Sequence, residues 1–335
     1  MLDTVVKLQM LQERFKSETE TAYVVALRDA LERINGKIIM TDGIDEMKRL
    51  KYLKAMIEKE VSELYTSLPK LIQEDMAGWI PIEHRTLFEA LNGETGIGYA
   101  YAALPKETIK EIIKLNNNIQ IGDKSYTIGE MLATSEQSTI DRFKQIVGGG
   151  LGANESSKEI ARRLKDTSQL SLRQLQAVVH TSIGYARDQA DIKVYEEFDD
   201  VITGWQSVSV LDSSTTFECA SLDGVRYMKP KYTYVTIPNR PLRHFRCRTK
   251  LKPLTKFSDK IDTTRAQNGD TKGQISSKTK FPQWFGNQSA SFQKEWLGKS
   301  RYELYKSDRL DIKDFTDVKS GDMWTLKELQ DKFNL

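Results

Sequence analysis

Apolar side chains recur at helical spacing through the first third of the chain. Leu2, Val5, Leu8, Leu11, Phe15, Val24, Leu27, Leu31 and Ile34 predict helix over residues 2–35, with Gly36 as its stop. Met47, Leu50, Leu53, Ile57, Val61 and Leu64 form a second stripe and predict a helix from Asp45 to Leu64. Pro69, Pro81 and Pro105 then punctuate a stretch that reads as broken and turn-rich. The helical period returns from Thr127 through Ile128, Met131, Leu132, Ile140, Phe143, Ile146 and Val147. The run Gly148-Gly149-Gly150-Leu151-Gly152 reads as its end, since the lysine and hydroxyl residue of a phosphate-binding loop do not follow. Ser156 and Glu159 have capping-box spacing and open a helix over 159–165. Leu172, Leu175, Val178, Val179, Ile183, Ala186 and Ala190 predict another over 171–198, with His180 packed and locally bonded on it.

The period then changes. Ile202, Trp205, Val208 and Val210 suit a short half-buried strand, followed by the turn formers Asp212 to Thr215 and a second turn at Leu222-Asp223-Gly224. The grammar from Trp205 to Pro253 is strand, turn, strand, long loop, strand. Residues 256–280 are too polar to offset the entropy of ordering and read as a basic linker or extended arm. Trp284, Phe285, Phe292, Trp296 and Leu297 predict an aromatic-faced helix stopped at Gly298. A short helix over 301–307, a brief strand over 311–315 and a last amphipathic turn from Met323 follow. The expected fold is α+β, with a helical N-terminal domain (1–126) and a central domain (127–255) whose helices pack on a small, mainly antiparallel sheet. A linker (256–280) and a C-terminal helical tail (281–335) that packs back on the centre complete it.

Composition changes this picture little. The 335 residues are 39% hydrophobic and 29% charged, with a net charge of +3, ordinary for a globular chain. No apolar run suits a transmembrane segment and no signal-peptide pattern opens the chain, so synthesis in a reducing cytoplasm is expected. Two cysteines exclude a disulfide framework. The charge is unevenly placed: residues 225–280 hold fifteen Lys or Arg against three acidic residues. Arg240, Arg243, Arg246, Lys250, Lys252, Lys256 and Lys260 are therefore candidate phosphate contacts, expected to be solvated and to bind DNA without sequence preference.

Both cysteines, Cys219 and Cys247, and one of three histidines, His244, lie between Trp205 and Pro253. The residues Asp212, Thr215, Cys219, Leu222, Asp223 and Gly224, followed by Pro241, His244, Cys247 and Arg248, resemble the head-morphogenesis domain of tailed-phage minor head proteins of the Mu F-like type. That family reads roughly D-x-R-T-C-x-x-C-x-x-L-D-G and then P-x-H-x-x-C-R-C. Ser214, Thr216 and Thr249 depart from it, as does His180-Thr181-Ser182, where the family usually has a trio such as Arg-Thr-Glu. The likeness extends over roughly residues 131–330, through Gln176–Ala190 and Trp284–Ser307.

The resemblance implies a structural virion protein, located in the capsid interior near the portal and made in the host cytoplasm. It implies a part in head assembly, DNA packaging or genome delivery. Its implied partners are the portal protein, coat or scaffolding protein and packaged DNA, with no small-molecule substrate. The alternatives are an enzyme or toxin carried in the virion, or a non-specific DNA-binding protein.

The family's cysteine pairs look like a structural zinc site. Here Cys219, His244 and Cys247 remain as candidate ligands, while Thr216 and Thr249 supply no thiolate. The loss of one member from each pair reads as a site abandoned as a unit, so no cofactor is expected and zinc is the alternative. The two thiols could instead hold the loops together by packing. A protease dyad is disfavoured, because residues three apart on one strand would point His244 and Cys247 to opposite faces. Asp212 and Asp223 suit backbone bonding in turns better than glycoside hydrolysis. No enzyme is expected. Cys219, His244 and Cys247 should lie together, joining the Asp212–Gly224 turn to a strand through Cys247.

Overall fold

The computed structural model describes residues 1–14, 17–258, 264–317 and 323–334. Four helices, α1 (Leu2–Arg14), α2 (Glu18–Met40), α3 (Glu46–Tyr65) and α4 (Leu68–Thr95), lead to the short α5 (Lys106–Ile112) and a hairpin of β1 (Ile119–Ile121) and β2 (Lys124–Tyr126). Then come α6 (Ile128–Gly152) and α7 (Ser157–Glu197), the latter about 60 Å long at about 1.5 Å per residue. The remainder is β3 (Gly204–Val208), β4 (Leu211–Asp212), α8 (Phe217–Ser221), β5 (Arg226–Met228), β6 (Lys250–Leu254), β7 (Thr264–Asn268), β8 (Lys272–Ser276), α9 (Phe281–Gly286), α10 (Ala290–Leu297), α11 (Lys299–Lys306) and α12 (Leu326–Phe333). The fold is α+β, as the patterning predicts.

Several helices run through the punctuation that should have ended them. Gly36 lies inside α2, where glycine costs about 1 kcal/mol relative to alanine. Buried Ile34 and Ile38 flank it, and the helix closes at Thr41, whose hydroxyl donates to the Lys37 carbonyl at 2.7 Å. Pro81 lies inside α4 on its exposed side, while Met76, Trp79, Ile80, Leu87 and Leu91 hold the opposite face in the core. The glycine run is the last turn of α6. A Cβ at Gly150 would meet Ile160 of α7 at 2.6 Å, so close helix approach, and not a turn, explains that glycine. Ser156 caps α7 through the Glu159 N–H, and the two helices expected over 159–198 are one.

The main core is built from α2, α3, α4, α6 and α7 around Tyr23, Ile57, Met76, Phe143, Val179 and Ile183. It runs unbroken across residue 126, so helices on either side of that expected boundary share one interior. The N-terminus of α2 is fixed from α4: the Asp75 carboxylate accepts from the Ser17 and Thr19 hydroxyls, at 2.5 and 2.6 Å, and from the Glu18 and Thr19 N–H groups.

Among the described residues the strands form three small sheets, one of them the β1–β2 hairpin. β3 pairs antiparallel with β5 and β6, Trp205 standing opposite Tyr227 and Pro253. β7 pairs parallel with β4 and antiparallel with β8. The expected linker therefore contains a hairpin over Thr264–Ser276; residues 259–263, with Lys260, lie outside the described residues. The expected strand over 311–315 is instead a turn of 3-10 helix, Ile312–Phe315. The tail packs back as anticipated, with Phe281, Trp284, Phe285, Leu297 and Phe315 closing over Leu211 and Ala220.

Strand β6 is covered, and this overturns the solvated placement of two lysines. Lys252 is buried and Lys250 is almost fully so. The Lys250 ammonium pairs with Glu83 of α4 and, at 3.2 Å, with Asp191 of α7. Burial drives the Lys250 ammonium well below its ordinary pKa and the Asp191 carboxyl well above its own. Removing one member of such a set leaves uncompensated polar groups in the core, at a cost of about 3–5 kcal/mol. Lys250→Met should lose about that much in urea unfolding, and adding Glu83→Gln and Asp191→Asn should recover most of it. Equal losses in the single and triple variants would count against the ion cluster.

Candidate metal centre

The site is assembled by turns between β3 and β6. Thr216 caps α8, its hydroxyl accepting the Cys219 N–H at 3.4 Å, and this puts Cys219 on the first turn of that short helix. Residues 244–247 form a turn closed by the Cys247 N–H donating to the His244 carbonyl at 3.1 Å. Arg246 adopts a φ of 61° within it and donates its N–H to the Thr181 hydroxyl of α7 at 3.0 Å. β6 begins only at Lys250, so the expected strand through Cys247 is a turn. The opposite-faces argument therefore fails, and His244 and Cys247 point the same way.

The three residues converge as predicted. Cys219 Sγ lies 3.9 Å from Cys247 Sγ and 3.3 Å from His244 Nε2, and the three ligand atoms fall within 4.8 Å of one another. They could hold a metal ion. His244 Nδ1 lies 2.9 Å from the Phe245 carbonyl, which fixes Nδ1 as the protonated nitrogen and aims the Nε2 lone pair at Cys219 and at the Thr216 hydroxyl, 3.1 Å away. Both cysteines are buried.

The surroundings favour a thiolate at Cys247. A hydrogen bond from the Cys219 thiol pulls its pKa down against the effect of burial, helped by the Arg243 charge and by the backbone N–H groups of Arg243 and Thr249, to about 6. The same bond and burial push Cys219 up to about 11. Burial alone would lower His244, but its contacts with Cys219 and the Phe245 carbonyl outweigh it and the imidazole pKa is raised. Arg243, expected to be a solvated DNA contact, is buried. It donates to Cys219 Sγ at 3.8 Å, the Ser207 hydroxyl at 3.1 Å and the Asn239 carbonyl at 2.7 Å.

The remaining motif residues brace this centre. Arg248 makes two bonds, 2.6 and 2.7 Å, to the Asp212 carboxylate, which also accepts the Ser214 N–H and the Thr215 hydroxyl. Thr215 additionally donates to the Val210 carbonyl at 2.6 Å. Asp223 accepts the Ser209 N–H at 2.8 Å, the Phe281 N–H at 2.7 Å and Arg265 at 2.9 Å, tying the central segment to β7 and α9. Gly224 has a φ of 82°, and a Cβ there would press on Lys280.

Of the other proposed phosphate contacts, Arg240 pairs with Asp188 at 3.1 Å, whereas Arg246 and Lys256 are exposed. Sequence reasoning missed Arg243 and Thr216 as neighbours of the sulfurs, Arg265 as the partner of Asp223, and Glu83 and Asp191 around Lys250. The last two carried a legible signal, since each falls within an apolar helical stripe. Nothing in the sequence pattern singles out Arg265.

With the metal absent, the two sulfurs should titrate as one coupled pair. One thiolate should form as pH rises through about 6, and the second only towards about 11. Thiolate ultraviolet absorption would rise by one equivalent in the lower step, and Cys247→Ser should abolish that step. Two equivalents appearing together near the ordinary thiol value would refute proton sharing.

No protein-family model, no curated protein and no solved structure matches the chain.

Proposed function

We propose that the chain is a structural minor head protein of a tailed bacteriophage, housed inside the capsid near the portal. It acts there in head morphogenesis, DNA packaging or genome delivery, with the portal protein and coat or scaffolding protein as its partners. The observation that carries this reading is the convergence of the residues behind the resemblance. Asp212 meets Arg248, and Cys219 meets His244 and Cys247, across gaps of 36, 25 and 28 positions. The motif's charged members are spent on internal bonds, which suits a scaffold better than a hydrolytic centre. Cross-linking mass spectrometry on purified particles of a phage encoding this chain should find it in DNA-filled heads, linked to portal protein. Its absence from purified heads would overturn the assignment.

Within this reading the bound metal is zinc. Two thiolates at about 2.3 Å from a tetrahedral zinc stand about 3.8 Å apart, and a thiolate and an imidazole nitrogen about 3.6 Å apart. The distances of 3.9 and 3.3 Å need changes of only a few tenths of an ångström, whereas the Cys247–His244 pair, within 4.8 Å, has to close by about 1 Å. Cys219, His244 and Cys247 would hold the ion, and its role is to fasten α8 to the His244–Cys247 turn.

DNA contact from the basic segment is narrower than its composition suggests. With Arg243, Lys250 and Lys252 buried and Arg240 paired, Arg246 and Lys256 are the exposed ones among the candidate contacts whose structure is described. Each neutralised phosphate contributes about 0.9 to the log–log salt slope of binding. Exchanging both residues for glutamine should therefore flatten the slope by about 2 units, since each contact contributes about 0.9. An unchanged slope would exclude Arg246 and Lys256 from DNA contact.

A further inference from the structure

The Cys219–His244–Cys247 group is closed on one side and open on the other. Both sulfurs are buried, whereas His244 and Thr216 reach the wall of a cavity of about 390 Å³. That volume lies in the range of small-ligand sites, about 300–1,000 Å³. The side chains around it have a consistent chemistry. Arg246, Arg248 and His180 supply cationic or N–H groups, Ser214, Thr216 and Gln12 supply further donors, and the Phe245 ring adds an apolar wall. Among the described residues no carboxylate belongs to the lining; Asp212 pairs with Arg248, and Glu20 lies 3.3 Å from His180. Arg248 is held in place by its two bonds to Asp212, while Arg246 is exposed at the rim.

We propose that this cavity is a binding site for a phosphate-type oxyanion, received by Arg246 and the Ser214 and Thr216 hydroxyls beside the open position of the metal. The inference rests on the zinc reading above and extends it. Three protein ligands satisfy all but one position of a four-coordinate zinc, and a position left open takes water or an oxygen ligand. In this chain that position has its access from the Thr216 and His244 side. An oxyanion there meets the donors of Arg246, Ser214 and Thr216, and the guanidinium of Arg246 offers a planar fork that matches phosphate oxygens. Thr216 stands where the resembled family has a cysteine. A ligand that would close the site is thereby exchanged for a hydroxyl that leaves it open to solvent.

The experiment uses full-length protein loaded with cobalt(II) in place of zinc, with inorganic phosphate as the probe. Cobalt uptake at one ion per chain, with a thiolate charge-transfer band that Cys247→Ser abolishes, is expected. Absence of that band would sink the zinc reading and this inference together. With the band present, the phosphorus NMR signal of phosphate should broaden on cobalt-loaded but not on zinc-loaded protein. Arg246→Gln, a change at an exposed side chain, should weaken that binding roughly tenfold, as expected for one charge-assisted hydrogen bond. An unbroadened signal, or equal affinity in the variant, would overturn the oxyanion site and leave the metal reading standing. A short single-stranded DNA that displaces phosphate would identify the nucleic-acid backbone as the source of the oxyanion. A DNA that does not compete would identify a free phosphate or phosphorylated small molecule.

Discussion

A lysine whose ammonium lies in a protein core must be neutralised where it stands, and here that requirement joins three parts of the chain. Lys250 enters from β6, Glu83 from α4 and Asp191 from α7. Glu83 is itself oriented by the Trp79 indole N–H at 3.1 Å. The two helices and the strand cannot slide past one another without stranding a charge. The His244–Cys247 turn lies just before β6, so the register imposed at Lys250 also sets where that turn meets α7.

The same logic repeats at two aspartates of the central segment. Asp212 and Asp223 each gather donors from separate segments, and each is closed by an arginine, Arg248 or Arg265. Through Asp223 the N-terminus of α9 is bonded to the central segment, and through Thr215 the Trp296 indole of α10 is bonded as well, at 3.0 Å. The C-terminal tail is therefore held by directional bonds in addition to its aromatic packing. Charge in this molecule also acts as internal fastening, which is why Arg243, Lys250, Lys252 and Arg265 of this basic segment are buried.

Between these fastenings sits the sulfur and imidazole group. Arg243 and two backbone N–H groups approach the thiols from the buried side. Thr216, Arg246 and Arg248 surround it on the accessible side. A centre with such unequal sides suits fastening and ligand binding at one place. It needs no carboxylate acting as a base.

What the sequence by itself determined is the type of element along much of the chain and the grouping of Cys219, His244 and Cys247. Period-3.6 stripes placed α2, α3, α6 and α7 but not α4, which its prolines concealed, and a change of period with turn formers placed the sheet. The motif spacing marked Cys219, His244 and Cys247 as neighbours, because a turn at each end can bring distant short segments together. Tertiary structure decided where the helices stop, since packing against Ile160 or a buried stripe outweighs the local cost of Gly150, Gly36 or Pro81. It also decided the fate of the charges. A lysine's pattern is the same whether it meets water or a carboxylate from a segment 167 positions away, as Lys250 does. Only the packing of β6 beneath α4 and α7 distinguishes the two.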